Sequence, residues 1–295
     1  MMSFRLAGLT AALLVTGCAR PVATVGTPPG PLASLQIIAF NDFHGHIDDG
    51  DQTVVPPNGP ADAARVDAGG AVHFAAAIAR LRAENPASAV VAAGDMIGAS
   101  PLVSGQFLDE PTIRVMNEIA IDFSALGNHE FDRGRFEIKR MQQGGCEKLT
   151  ERAPCQVMPD FPGAKFQFLA GNSLLDDGSS LFPAYGIKVL EVGGRTVRIG
   201  FVGLTLKGTP EIVAAKGVAG LHFAEEAETA NALVPKLKAE GADILALLIH
   251  EGGSMKPETD GKDCANMIGG LVPVLGKLDP AFALVISGHT HQAYV

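Results

Sequence analysis

Five times along this chain a short apolar run ends in residues that bind metals. "LQIIAF" (35–40) leads into "NDFHGH", "AVVAA" (89–93) into "GD" and "FSAL" (123–126) into "GNHEFD". "DILALLI" (243–249) leads into "HEGG", and "FALVI" (282–286) into "SGHTH". Runs of this kind are strands buried on both faces. Helix-like stretches stand between them: "AVHFAAAIARLRAEN" (71–85), "PTIRVMNEIA" (111–120), "EEAETANALVPKLKAEG" (225–241) and "ANMIGGLVPVLGKL" (265–278). "TVRIGFVG" (196–203) adds a further strand. The alternation predicts an α/β fold with buried sheets. Open α/β sheets place ligand sites at the carboxyl ends of their strands, so the repetition predicts one site built from five strand ends.

The residue types say what that site holds. Asp42, His44, Asp95, Asn128, His250, His289 and His291 together form a donor set suited to zinc, manganese or iron. Asp42 and His44 are two apart, as are His289 and His291, so in an extended segment each pair points the same way. Asn128 and His129 are adjacent and should point differently, one to a metal and one to substrate. Gly94, Gly127 and Gly288 precede these residues and allow sharp turns. Each piece alone has an ordinary explanation. A "GD" is a turn, a buried His250 is a satisfied core histidine, and "GHTH" holds one structural zinc or nothing. The ordered set, each member at a strand end, is not what chance assembles. His46 has no role in the pattern, and His73 and His222 read as structural or surface residues. Glu130 and Glu251 read as solvated or supporting neighbours. Arg80, Arg82 and Lys139 read as solvated helix faces.

Composition excludes some classes. Only 19% of the 295 residues are charged and 47% are hydrophobic, which rules out a disordered chain. The net charge of −9 argues against non-specific nucleic-acid binding. Small phosphorylated ligands remain compatible, because bound cations reverse the local charge. At the N-terminus Arg5 precedes the apolar stretch "LAGLTAALLV", too short to span a membrane. "VTGC" follows, and the whole resembles a bacterial lipoprotein signal with Cys18 lipidated; an ordinary secretory signal is the alternative. Either way export is predicted, with residues 1–17 removed and 18–34 an extended Pro/Gly/Ala tether. The lipoprotein reading places the protein in the periplasm or on the cell surface, held to a bacterial membrane through Cys18. In an exported protein Cys146 and Cys155 are placed to close a small loop, leaving Cys264 without a partner.

The motifs "NDFHGH", "AAGDMIGASP", "ALGNHEFD", "LIHEGG" and "SGHTHQAY" resemble those of the calcineurin-like metallophosphoesterases. The likeness is closest to the bacterial periplasmic or lipoprotein 5′-nucleotidase branch and runs over residues 35–295. It implies an α/β fold of two packed mixed β-sheets flanked by helices, in four layers. It implies two divalent metal ions: Asp42, His44 and His291 on the first, Asn128, His250 and His289 on the second, and Asp95 bridging both. His129 would face the phosphate, oriented by Asp132. The implied reaction is hydrolysis of phosphomonoesters, nucleotides foremost, by a hydroxide held between the ions. Other small phosphoesters, such as cyclic nucleotides or sugar-nucleotide diphosphates, are an alternative, as is an inactive, lipid-tethered protein that only binds metal. The resemblance also leads one to expect a second, base-binding domain and further strands after "GHTH". Their absence here predicts a catalytic domain cut short at its C-terminus.

Overall fold

The computed structural model describes residues 34–48, 53–54, 64–256 and 266–294. The signal-like segment with Cys18, the tether up to residue 33, and Cys264 lie outside the described residues. No described helix is long and apolar enough to cross a membrane.

Two four-stranded sheets carry the fold. The first is wholly parallel and runs in the order β1 (Gln36–Phe40), β2 (Ser88–Ala92), β3 (Phe123–Ala125), β4 (Gln167–Leu169). The second contains β5 (Tyr185–Val192), β6 (Arg195–Thr205), β7 (Ile244–His250) and β8 (Phe282–Ser287), in the order β8-β7-β6-β5. There β6, β7 and β8 are parallel neighbours, and β5 pairs antiparallel with β6.

Alternation along each strand explains the layers. In β2, Ala89 and Val91 face the other sheet, where they meet a core that includes Ala125, Leu169, Ile199, Phe201, Ala246 and Leu248. Val90 and Ala92 face the opposite way, into a cluster with Ile78 of helix α1 (Gly70–Glu84) and Ile113 and Met116 of α2 (Glu110–Ile119). Helix α3 (Arg135–Gln143) adds Ile138 and Met141 to that cluster. On the far side, Leu245, Leu247 and Ile249 of β7 pack against α4 (Glu226–Ala239) and α5 (Leu271–Lys277). Each large side chain so buried contributes about 1.5–3 kcal/mol. The result is helices, sheet, sheet, helices, as the resemblance implied.

Three local expectations need correction. The helix expected over 265–278 starts only at Leu271, because Gly269 and Gly270 interrupt it; Met267–Ile268 instead pairs antiparallel with Ser254–Met255. Arg82 is not merely a solvated face, since its guanidinium donates to the carbonyls of Ile119 and Ala120 and so caps the C-terminus of α2. Glu130 is buried, not solvated. The Cys146–Cys155 disulfide forms as the spacing suggested.

Candidate metal centre

The carboxyl ends of β1, β2, β3, β7 and β8 meet at one edge of the two sheets. Backbone hydrogen bonds tie the loop after β1 to the loop after β2: Asp42 N–H donates to Gly94 O (3.1 Å) and His44 N–H to Asp95 O (3.0 Å). The loop after β8 joins them, with His289 N–H donating to Asp42 Oδ2 at 3.0 Å. Asp42, His44, Asp95, His289 and His291 all have left-handed backbones, with φ of 51°, 45°, 50°, 74° and 53°. Such conformations cost a non-glycine residue roughly 1 kcal/mol or more and persist only where the surroundings over-determine them. The expectation that the two i, i+2 pairs lie in extended backbone is therefore wrong. The strands stop at Phe40 and Ser287, and the side chains converge through consecutive tight turns beyond the pleat.

The glycines act in two ways. Gly94 supplies a left-handed turn (φ 89°). Gly127 is needed for closeness, since a Cβ there would sit 2.1 Å from Asp95 Oδ1. The loops after β2 and β3 touch with no room for a side chain between them.

Two groups of donors result. Asp42, His44 and His291 offer ligand atoms within 4.8 Å of one another, and so do Asp95, His250 and His289. The groups adjoin: Asp95 Oδ2 lies 3.0 Å from His250 Nε2 in its own group and 3.7 Å from His44 Nε2 in the other. Asp42 Oδ1 lies 3.4 Å from His291 Nε2 and 3.9 Å from His250 Nε2. The second group is the deeper, with His250 fully buried, whereas the His291 side chain is 58% exposed. His44, Asp95, Asn128, His129, His289 and His291 line a shared cavity of about 290 Å³. His46 lines it too, its Nδ1 against Phe43 O at 3.0 Å, a position the motif pattern had not singled out.

The donor atoms suit a cation. His44 Nδ1 meets Gly98 O at 2.9 Å and His250 Nδ1 meets Ala93 O at 2.8 Å. Each carbonyl accepts a hydrogen bond from Nδ1–H, which in the neutral ring leaves Nε2 as a lone pair aimed inward, the arrangement that orients metal-binding histidines. Asn128 Oδ1 is buried without a hydrogen-bond partner, and His250 Nε2, equally buried, faces only the Asp95 carboxylate at 3.0 Å. An orphaned buried acceptor is costly, and a cation in the cavity that Asn128 lines would remove that cost. Without one, burial opposes charge on His250, but the Asp95 carboxylate outweighs it and raises the imidazole to about 9. Burial likewise opposes the Asp95 charge, and the bond and charge of His250 outweigh it, so this carboxyl is held below its ordinary value.

His129 is placed differently. Its backbone N–H donates to Asp95 Oδ1 (2.9 Å), while its ring Nδ1 lies 2.9 Å from Asp132 Oδ2. That bond to Asp132 raises the imidazole pKa against the opposing effect of partial burial. The ring thus favours the imidazolium, with Nε2 left to donate.

Glu130 ties the centre together. Its buried carboxylate accepts from the amides of Asp95 (2.9 Å), Met96 (2.8 Å) and Ile97 (3.3 Å), and from Gly127 N–H across the second loop. Burial, then the nearby Asp95 charge, push this carboxyl up to about 8. Glu130→Ala would leave those buried amides unpaired, each at a cost of about 1–3 kcal/mol before relaxation. The expected loss is about 3 kcal/mol or more, measured by the denaturant midpoint of the metal-free protein. An unchanged midpoint would show that the loops hold without the strap.

Comparison with known proteins places the chain. Residues 35–293 match the calcineurin-like phosphoesterase family. An uncharacterised Acinetobacter calcoaceticus protein is 51% identical over 187 residues, covering 61% of this chain and 91% of that protein. The endonuclease YhcR of Bacillus subtilis is 31% identical over 269 residues, covering 90% of this chain but only 20% of that much longer protein. Among solved structures, the calcineurin-like phosphoesterase YfkN of Bacillus subtilis superposes with a TM-score of 0.59 at 25% identity, covering 86% of this chain and 71% of that one. Further relatives and structural neighbours are 5′-nucleotidases and 2′,3′-cyclic-nucleotide phosphodiesterases. The matched stretch takes in both sheets and every strand end that feeds the cluster, and on that ground the chain is a member of the calcineurin-like phosphoesterases, metal-dependent hydrolases of phosphoesters.

Proposed function

We propose that this chain hydrolyses phosphomonoesters, nucleotides foremost, with two divalent ions of the zinc, manganese or iron class. Asp42, His44 and His291 would hold one ion, and Asn128, His250 and His289 the other, with Asp95 shared. The observation that carries this reading is the position of Asp95 Oδ2, within 3.7 Å of His44 Nε2 on one side and 3.0 Å of His250 Nε2 on the other. One carboxylate serving two donor groups is the arrangement that holds paired cations a few ångströms apart.

Ions bound there would supply Lewis acidity toward the phosphoryl oxygens and lower the pKa of the attacking water. The chain's own residues do the rest. His129, held by Asp132, donates from Nε2 to a phosphoryl oxygen, where negative charge grows as the ester breaks. The same proton is placed to neutralise the departing alkoxide. Asp132 holds the ring and its charge and takes up no proton itself, as a carboxylate does behind other catalytic histidines. The nucleotide preference draws its support from relatives named as nucleotidases.

The test is removal and return of metal. Exhaustive chelation is expected to abolish hydrolysis of nucleoside 5′-monophosphates and of p-nitrophenyl phosphate, and added manganese or zinc to restore it. Full activity in the chelated protein would end this reading. A chain that cleaves 2′,3′-cyclic nucleotides far faster than monophosphates would shift the substrate to the phosphodiester class.

A further inference from the structure

A cavity of about 770 Å³ opens beyond the His129–Asp132 pair, and Asp132 forms part of its wall. Five cationic side chains line it, Arg133, Arg135, Lys148, Arg152 and Lys216, against the carboxylates of Asp132 and Glu151. Among the described residues only Arg133 of these five has a carboxylate partner, Asp109 at 2.6 Å. Arg135 Nη1 donates to Gly220 O (2.6 Å) and Arg152 Nη1 to Gly105 O (3.0 Å), bonds that fix their direction without cancelling their charge. Among the described residues Lys148 and Lys216 have no ion-pair partner. Five cations against two lining carboxylates, with Asp109 behind Arg133, leave an excess of positive charge in one concavity of a chain whose net charge is −9. An anionic ligand offsets that excess.

Two further features fit a nucleotide. The nine-residue helix α3 begins at this wall with Gly134 as its N-cap and no side-chain cap hydrogen bond, so the positive end of its dipole lies at the cavity. Phe136, 60% exposed, lies under the Arg135 guanidinium at 5.1 Å, a planar platform of the kind on which bases stack. The wall carrying Lys148 and Arg152 is held in shape by the Cys146–Cys155 disulfide, whose Cys155 N–H donates to the buried Glu110 carboxylate (3.0 Å).

We propose that this cavity binds a second phosphate of the substrate, so that the preferred ligand is a nucleotide carrying two phosphate groups. One phosphate would enter the metal centre and the other would lie among Arg135, Lys148, Arg152 and Lys216. This rests on the phosphomonoesterase reading above and adds the substrate class to it. The second phosphate has two chemical sources, a 3′-phosphate on one nucleoside or the diester of a dinucleotide, and both are probed.

The experiment is calorimetry of the manganese-loaded full chain with the 5′-methylenephosphonate analogues, which resist hydrolysis at that group, of 5′-AMP, adenosine 3′,5′-bisphosphate and the dinucleotide pApA. It is paired with p-nitrophenyl phosphate turnover of the metal-loaded protein. The control variant is Lys148→Glu/Lys216→Glu, both exposed positions, checked for an unchanged melting temperature. One or both of the doubly charged ligands is expected to bind about tenfold or more tighter than the 5′-AMP analogue, with a preference that shrinks as salt rises. The variant should lose that preference and keep p-nitrophenyl phosphate turnover within about twofold, because the cavity holds no part of the metal centre. Equal affinities in the unmodified protein, or a preference that survives the charge reversals, would overturn the proposal even if phosphomonoesters are cleaved. Absence of any phosphomonoesterase activity, with the preference intact and lost in the variant, would instead count against the reaction and not the anion site.

Discussion

Asp95→Asn is expected to lower turnover by about a thousandfold or more and to strip the centre of most of its metal. The substitution is nearly isosteric, so the fold should survive. Asp95 is 2% exposed, and its Oδ1 accepts the His129 amide, a bond the Asn oxygen can keep. What changes is the other oxygen. In place of a negative charge facing His44 Nε2 and His250 Nε2, the amide would present N–H donors to two lone pairs, with no charge shared between the groups. Metal content by mass spectrometry, alongside steady-state rates, reads the effect. A variant that retains two ions per chain would show that Asp95 bridges nothing.

His129→Ala is expected to behave in the opposite manner. Its ring is held by Asp132, its hydrogen bond to the donor groups is a backbone amide that alanine retains, and its ring touches them only through edge packing on His44 at 5.2 Å. Metal content should stay near that of the unmodified protein while kcat falls by roughly a hundredfold or more, the scale for removing a donor to developing charge. Asp132→Asn should lower kcat less than His129→Ala does, because the ring remains but its imidazolium loses support. Equal metal loss in His129→Ala and Asp95→Asn would mean that His129 is a ligand.

The strands that carry the centre were legible in the sequence because they read as continuous apolar runs, although only β2 and β7 are buried along almost their whole length and β8 keeps Ala283 and Leu284 exposed. Other elements were hidden for identifiable reasons. Helix α3 has little apolar periodicity because part of its inner face is ionic: Arg140 is buried with Glu137 at 2.6 Å and Glu110 at 2.7 Å. Strand β5 was readable and overlooked, since Gly193–Gly194 between it and β6, both at positive φ, is a strong two-residue hairpin signal. Strand β4 is three residues long, too short to show a period. Of the residues named from the motifs, Asp42, His44, Asp95, His250, His289 and His291 fall into the two adjoining groups and Asn128 lines the cavity beside them, but the extended backbone expected there is replaced by tight turns. Left-handed turns at Asp42, His44, His289 and His291 come from bonds between loops far apart in sequence, such as Asp42 N–H to Gly94 O, and no local pattern announces them. Glu130 was set aside for a similar reason. Its four amide donors belong to two loops, and only the folded chain brings both to one carboxylate.

The measurement that bears most directly on the central claim is anomalous diffraction from crystals grown with manganese. The account predicts two peaks, one among Asp42, His44 and His291 and one among Asn128, His250 and His289, with Asp95 in contact with both. A single peak, or a pair in which His250 and Asp95 touch no ion, would contradict it.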